Sequence, residues 1–333
     1  YLSDGFRDFV TPPISLPDNS ANEGNELADF DSNGTQDIVV ANGGGQPDSV
    51  YSNDGLGNFT LMAELGSAPS PDVAGADFAL KAFGAPTFSH DVAVADFNSD
   101  GSMDIVIATI EGNPVYLGDG FGGFSLYATL GTANSHAIAV ADLDGSAGPD
   151  IVFANVGSDS QVWLNNGLDG FAPGVLLPIG DAVSVTVGEF GGDAMPDLAF
   201  ARIPTSNGEV PANPVLVNDG FGGFDSPVAL LGNSPTNDIH AGDVNSDGLT
   251  DLVFINTSGV HQIWTANAGG FELYNQQIVD AGANVGVLAE LGSIAVGDPP
   301  VAEPGGMDLA LGGELLVGTS IYLNDGSGNL GRG

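Results

Sequence analysis

The stretch that decides the fold runs from Ala95 to Thr109 and reads ADFNSDGSMDIVIAT. A short acidic loop containing glycine is followed there by a continuous apolar run. Four further stretches follow the same pattern, and they begin at Ala28, Ala141, Gly188 and Gly242. With a disrupted sixth copy, the first acidic residues of the loops are residues 29, 96, 142, 189, 243 and 290. The period of about 47 residues indicates internal repeats of one supersecondary unit.

A second motif follows each acidic loop by roughly 25 residues and contains an Asp-Gly or Asn-Gly pair, as in YLGDGFGGF from Tyr116. Such pairs between strand-like runs favour tight hairpins, because both turn residues tolerate positive φ. The run from Asp91 to Phe97 alternates small and branched residues, which is typical of a strand, whereas Asp104 to Ala108 is apolar throughout. A continuous apolar run indicates a strand that is covered on both faces. Each repeat therefore predicts four antiparallel strands, with the acidic loop between the first two.

These repeats predict an all-β chain that folds as a β-propeller with four-stranded antiparallel blades. Seven blades are expected, six of them complete and one an N-terminal half blade, and six blades plus a closing hairpin is the alternative. The whole chain, residues 1–333, is predicted to be one domain with an insertion at 67–88. The predicted blades are the half blade 1–16 and the complete blades 17–66, 89–132, 133–178, 179–232, 233–280 and 281–333.

The composition excludes several classes of partner. The chain has 43 acidic residues and 4 basic ones, for a formal net charge of -39. So few cations cannot neutralise phosphates, which argues against nucleic acid and against direct binding to anionic membranes. With no cysteine, the chain has neither disulfides nor thiolate metal sites.

Four of the acidic loops have oxygen-bearing side chains at positions 1, 3, 5 and 9, counted from the first acidic residue. Alternate side chains of a tight loop point at one centre, and the backbone carbonyl of position 7 can add another oxygen. Hard oxygen ligands without nitrogen or sulfur favour Ca²⁺. The predicted ligands are Asp29, Asp31, Asn33, Thr35 and Asp37; Asp96, Asn98, Asp100, Ser102 and Asp104; Asp142, Asp144, Ser146, Gly148 and Asp150; and Asp243, Asn245, Asp247, Leu249 and Asp251.

Two loops depart from this pattern. The fourth has Glu189, Asp193 and Asp197 but carries Gly191 at position 3, so it is a doubtful metal site. The sixth has extra residues between Glu290 and Asp308 and has lost the spacing. About four calcium ions are therefore expected per chain.

The acidic loops and the Asp-Gly turns together resemble the FG-GAP/VCBS repeats of integrin-α-type propellers, and the resemblance covers nearly the whole chain. In that family the DxDxDGxxD loop joins the first two strands of a blade and binds calcium. The resemblance also implies recognition of a protein or glycan through loops on one face of the propeller.

We therefore expect a secreted or cell-surface protein that acts as a binding, adhesion or surface-assembly module, with calcium in a structural role. Self-association of the protein is compatible with this role. No catalytic motif stands out, so the chain is not expected to be an enzyme. A polysaccharide-active lyase or hydrolase, or a lectin, on the same scaffold is the alternative.

Overall fold

The structure is a computed structural model that describes most of the chain. The described residues are 16, 22–66, 88–146, 148–167, 170–224, 227–274 and the strand segments 278–279, 285–289, 308–312, 320–324 and 330–332. The predicted half blade, except residue 16, and residues 67–87 of the predicted insertion lie outside them, as does the predicted sixth loop from residue 290 to 307. The chain folds as two compact units, Tyr1–Leu176 and Leu177–Gly333.

The first unit is built from three antiparallel sheets of four strands, each in sequence order. Their strands are β1 (Asn22–Ala28), β2 (Asp37–Asn42), β3 (Asp48–Asn53) and β4 (Phe59–Leu65); β5 (Ser89–Ala95), β6 (Asp104–Thr109), β7 (Asn113–Gly118) and β8 (Phe124–Leu130); and β9 (Asn134–Ala141), β10 (Asp150–Val156), β11 (Ser160–Asn165) and β12 (Phe171–Leu177).

The second unit repeats this architecture in three further sheets, of which the middle one carries an extra short strand, β21. Their strands are β13 (Ala182–Gly188), β14 (Asp197–Arg202), β15 (Asn213–Leu216) and β16 (Ala229–Leu231); β17 (Thr236–Gly242), β18 (Asp251–Asn256), β19 (Val260–Asn267), β20 (Gly270–Leu273) and β21 (Ile278–Val279); and β22 (Val285–Ala289), β23 (Asp308–Gly312), β24 (Ser320–Asn324) and β25 (Leu330–Arg332).

Within each unit, consecutive sheets meet through their first strands. Strand β5 packs against β1 and β9, and strand β17 packs against β13 and β22. Stacked four-stranded sheets that follow one another along the chain are the blades of a propeller. This confirms the predicted all-β class and the four-stranded antiparallel blade, while the number of blades stays a prediction. The described residues contain no helix that is long and apolar enough to cross a membrane.

The second strand β6 is fully buried because its two faces enter two different cores. Ile105 and Ile107 of β6 pack with Phe30 and Val39 of the preceding blade. Val106, from the opposite face of β6, packs instead with residues of the following blade such as Ile151. The continuous apolar runs of the sequence therefore follow from the position of these strands between neighbouring sheets.

A buried polar contact joins neighbouring blades at the start of the third strand in the first, second and fourth blades. In the first blade, Asp48 accepts a hydrogen bond from Ser89 Oγ of the next blade at 2.9 Å. At the equivalent place in the second blade, Asn113 Nδ2 donates to Ser135 Oγ at 2.9 Å. Because Asp48 is buried, desolvation raises its pKa to about 7, against the ordinary value of 3.8. The aspartate therefore adds a titratable group where its counterpart is a neutral amide.

Asp48→Asn should stabilise the protein near pH 8 and have little effect near pH 4. The pKa of Asp48 is raised on folding, so its contribution to stability is complete below the unfolded pKa and is lost as the pH rises through about 7. An asparagine keeps an acceptor oxygen for the backbone N–H of Asn42, which lies 2.7 Å from Asp48 Oδ1. Thermal melts at the two pH values measure the difference, and an equal shift at both would contradict the titration of Asp48.

Candidate metal centre

The five described acidic loops connect the first and second strands of their blades, and they share a left-handed residue at position 4. Position 4 adopts the left-handed conformation at Ser32, Ser99 and Ser246, with φ between 57° and 61°. Gly145 and Gly192 occupy the same position with φ of 71° and 78°. A left-handed residue is costly for most side chains, so glycine suits position 4 well. The glycine at 145 is thus a regular feature of the third loop and does not disturb its course.

The first acidic side chain of each loop binds the backbone of the same loop. Asp29 accepts hydrogen bonds from the N–H groups of Asn33 and Gly34 at 3.1 and 2.8 Å. Asp96 and Asp243 make the same two contacts in their own loops, at 3.1 and 2.8 Å in each. Glu189 accepts from the backbone N–H of Gly192 and Asp193. The carboxylate at position 1 is therefore fixed by the loop that it begins.

The carboxylate at position 9 is fully buried and joins the loop to the third strand of its own blade. Asp251 Oδ2 accepts from Val244 N at 3.0 Å, and its Oδ1 accepts from Ala266 N at 2.8 Å. Equivalent pairs of backbone N–H groups donate hydrogen bonds to Asp37, Asp104, Asp150 and Asp197. Each position-9 oxygen thus has a backbone donor. An oxygen that accepts one hydrogen bond retains a lone pair that a cation can use, whereas Asp197 Oδ2 accepts two, from the N–H groups of Phe190 and Gly191.

The environment of position 9 makes its negative charge costly. Burial, with a smaller contribution from nearby carboxylates of the same loop, raises the pKa of Asp104, Asp150 and Asp251 to about 6. Burial also raises the pKa of Asp37 and Asp197. Without a cation, these groups therefore stabilise the fold less as the pH rises through about 6. A divalent cation would offset both the desolvation and the mutual repulsion.

Three of the loops bring three carboxylates together, with one oxygen from each within 4.8 Å of the others. Among the described residues these groups are Asp29, Asp31 and Asp37; Asp142, Asp144 and Asp150; and Glu189, Asp193 and Asp197. The doubtful fourth loop therefore has the same convergence as two of the regular ones. The longer glutamate side chain and Asp193 at position 5 replace the missing ligand at position 3.

The loops at Asp96 and Asp243 contain no such group of three. In both, position 3 is an asparagine whose Nδ2 donates to the position-5 carboxylate, from Asn98 to Asp100 at 2.8 Å and from Asn245 to Asp247 at 3.0 Å. The amide thus holds the position-5 carboxylate, while its own Oδ1 accepts a backbone N–H. These loops offer two other carboxylates and an amide oxygen, so their set of donors differs from that of the three converging loops.

Aromatic residues fix the first, second and fourth loops against the next blade. Phe30 and Phe97, at position 2 of their loops, meet the rings of Phe124 and Phe171 edge to face with centroids 5.5 Å apart. The backbone of the loop is also held across this boundary, because Asn165 Nδ2 donates to Phe97 O at 2.8 Å. The candidate metal loops therefore lie where two blades join, and a cation bound there would stabilise the contact between blades.

The remaining predicted ligands lie in the same loops. Asn33 Oδ1 accepts from Thr35 N at 2.8 Å and from Thr35 Oγ1 at 2.6 Å. The backbone N–H of Ser102 and Leu249, also at position 7, bonds the position-5 carboxylate at 2.8 and 2.9 Å. In the third loop, Ser146 N donates to Asp144, and Gly148 has a φ of 154°. The metal-binding roles of these residues and of the position-7 carbonyls stay predictions.

The sequence does not predict the backbone contacts at position 9, where Asp251 is expected only as a metal ligand. The sequence carries part of the signal for these contacts, since the second strand of each blade begins with an aspartate. The partner N–H lies in the third strand, however, and its identity differs between blades.

The loops and blades agree with comparisons to known proteins. The family model described as FG-GAP-like repeat matches residues 29–107 and 96–151. Residues 29–151 therefore contain FG-GAP-like repeats, which confirms the resemblance drawn from the sequence for this part of the chain. None of the curated proteins compared with the chain matches it.

Solved structures with the same fold support the propeller architecture. A protein from Lactobacillus plantarum superposes with a TM-score of 0.63 and 13% identity, covering 93% of this chain and 83% of that one. BBS1N, crystallised in complex with ARL6DN, gives a TM-score of 0.60 and 9% identity, with 93% and 81% covered. At these identities the likeness concerns the fold alone. The chain is therefore a β-propeller protein with FG-GAP-like repeats in residues 29–151.

Proposed function

We propose that this chain is an extracellular, calcium-binding β-propeller that serves as a binding, adhesion or surface-assembly module. The observation that carries the proposal is the convergence of three carboxylates in each of three equivalent loops. All donors are oxygens, and the carboxylates alone would leave a charge of about -3 at each centre, which suits Ca²⁺. Mg²⁺ requires near-ideal octahedral geometry and retains its water, so it suits such crowded loops less well.

Calcium in this proposal has a structural role. Equivalent loops recur from blade to blade, and three of them are packed against the neighbouring blade through aromatic contacts. A cation that holds such a loop would rigidify the blade contact and leave other loops free for a partner. The partner is a protein or a glycan, and the net charge of -39 disfavours nucleic acid and anionic membranes.

A glycan array read with and without calcium, together with a reducing-end assay on polysaccharides, tests this function. As a binding module without catalytic activity, the protein should release no reducing ends from any polysaccharide. Retention of a glycan only in calcium would identify a lectin within the proposed class. Release of new reducing ends by the purified protein, lost in a calcium-site variant such as Asp144→Asn, would contradict the proposal and support an enzyme.

A further inference from the structure

The three most exposed large apolar side chains of the described residues occupy one repeat position. Leu56, Phe121 and Phe221 are 86%, 87% and 81% exposed. Each follows the glycine of an Asp-Gly turn between the third and fourth strands of its blade. Single exposed apolar residues are common, but the same placement in three blades is a repeated surface feature.

The turns hold these side chains in a fixed position. Asp119 Oδ1 accepts from Phe121 N and from Gly123 N, both at 2.8 Å, and Asp119 N donates to Gly123 O at 3.0 Å. The turns that present Leu56 and Phe221 have equivalent bonds to their own aspartates. A preorganised turn lowers the entropy that binding would otherwise cost.

In the first unit, the turn of the second blade lies between two acidic loops. Gly122 N donates to Phe30 O at 3.2 Å in the first loop. A Cβ at Gly120 would lie 3.1 Å from Ser102 Oγ of the second loop and 3.6 Å from Ser32 Oγ of the first. Phe121 therefore projects from a turn that has a loop of carboxylates on each side.

The charge around these side chains is negative throughout. Neither the two loops, residues 29–37 and 96–104, nor the turns themselves contain lysine or arginine. Hydrogen bonds from Asn58 and Leu56 lower the pKa of Asp54, so this turn carboxylate stays charged. Even with calcium in the loops, one ion would leave the carboxylates Asp29, Asp31 and Asp37 with a charge of about -1.

From this arrangement we infer that the Asp-Gly turns of the first two blades form a docking surface for a cationic, amphipathic polypeptide segment. Its apolar side chains would pack on Leu56 and Phe121, and its arginines or lysines would face the acidic loops and the aromatic ring. A second copy of this chain fits poorly, since it carries the same net charge of -39. The inference rests on the proposed function, because it names the surface and the partner class of the binding module.

The test measures the binding of a fluorescent peptide that alternates arginine with leucine, in calcium and about 0.15 M salt. The double variant Leu56→Ser, Phe121→Ser is compared with the native chain and with a control, Leu27→Ser, Leu230→Ser, which removes exposed apolar side chains from strands. The double variant should bind at least about tenfold more weakly, because the apolar contacts are lost. The control should bind like the native chain.

Equal binding by the double variant and the native chain would overturn the inference. So would equal binding of a peptide in which serine replaces leucine, since charge alone would then explain the affinity. Calcium-dependent binding of phosphatidylserine vesicles through Phe121, without binding of the peptide, would also overturn it and indicate a membrane surface. Melts of the same samples with and without calcium test the proposed calcium role separately, so the two failures are distinguishable.

Discussion

Removal of calcium by a chelator should lower the melting temperature of this protein by at least about 5 °C. One ligand present at a hundredfold excess over its dissociation constant stabilises the folded state by about 2.7 kcal/mol, and several loops contribute. The physical reason is the crowding of carboxylates, such as Asp29, Asp31 and Asp37, with oxygens within 4.8 Å. Without the metal these groups repel one another where two blades meet.

The control for this melt is magnesium at the same concentration, which should restore less of the lost stability than calcium does. General screening of the negative charge by a divalent cation would not distinguish the two ions in this way. Identical melting curves in calcium and in chelator would contradict a structural calcium role.

Asp251→Ala should destabilise the protein by about 3 kcal/mol or more, even in the presence of chelator. The substitution leaves two buried N–H groups, of Val244 and Ala266, without their acceptor, and each such group costs on the order of 1–3 kcal/mol. Chemical unfolding in chelator measures this effect without any contribution from the metal. Loss of calcium from the same loop should add to it when the metal is present.

The matched variant is Asp247→Ala, in the same loop but exposed to solvent. Its carboxylate accepts hydrogen bonds from the N–H of Leu249 and the side chain of Asn245, and both donors can form hydrogen bonds with water instead. Asp247→Ala should therefore change stability little in chelator but reduce the stabilisation by calcium. If the two variants were equally stable in chelator, this would contradict the claim that the buried hydrogen bonds of position 9 stabilise the fold.

The sequence predicts the blades well because its signals are local. The alternation in residues 91–97 and the apolar run after Asp104 each specify a strand and its burial, and the structure places both as expected. The acidic loops are also local, since most of their hydrogen bonds join residues two to five positions apart. Spacing alone therefore indicates where the candidate ligands stand.

What the sequence could not predict depends on contacts across the blade. The partner of Asp251 Oδ1 is a backbone N–H of another strand, which no side-chain pattern records. Gly191 made the fourth loop doubtful, yet the longer Glu189 and Asp193 still bring oxygens together with Asp197. The exposure of Phe121 could likewise not be predicted from its residue type, because the nearby Phe124 is also a phenylalanine but is buried.

The most direct test of calcium-loaded FG-GAP repeats is the metal content of the purified chain after dialysis against calcium-free buffer that contains magnesium. About four calcium ions should remain per chain, with a fifth if the Glu189 loop is filled. Asp144→Asn should lower the content by one ion, because this carboxylate is one of three that converge in its loop. Retention of no calcium, or replacement of calcium by magnesium at every site, would contradict the account.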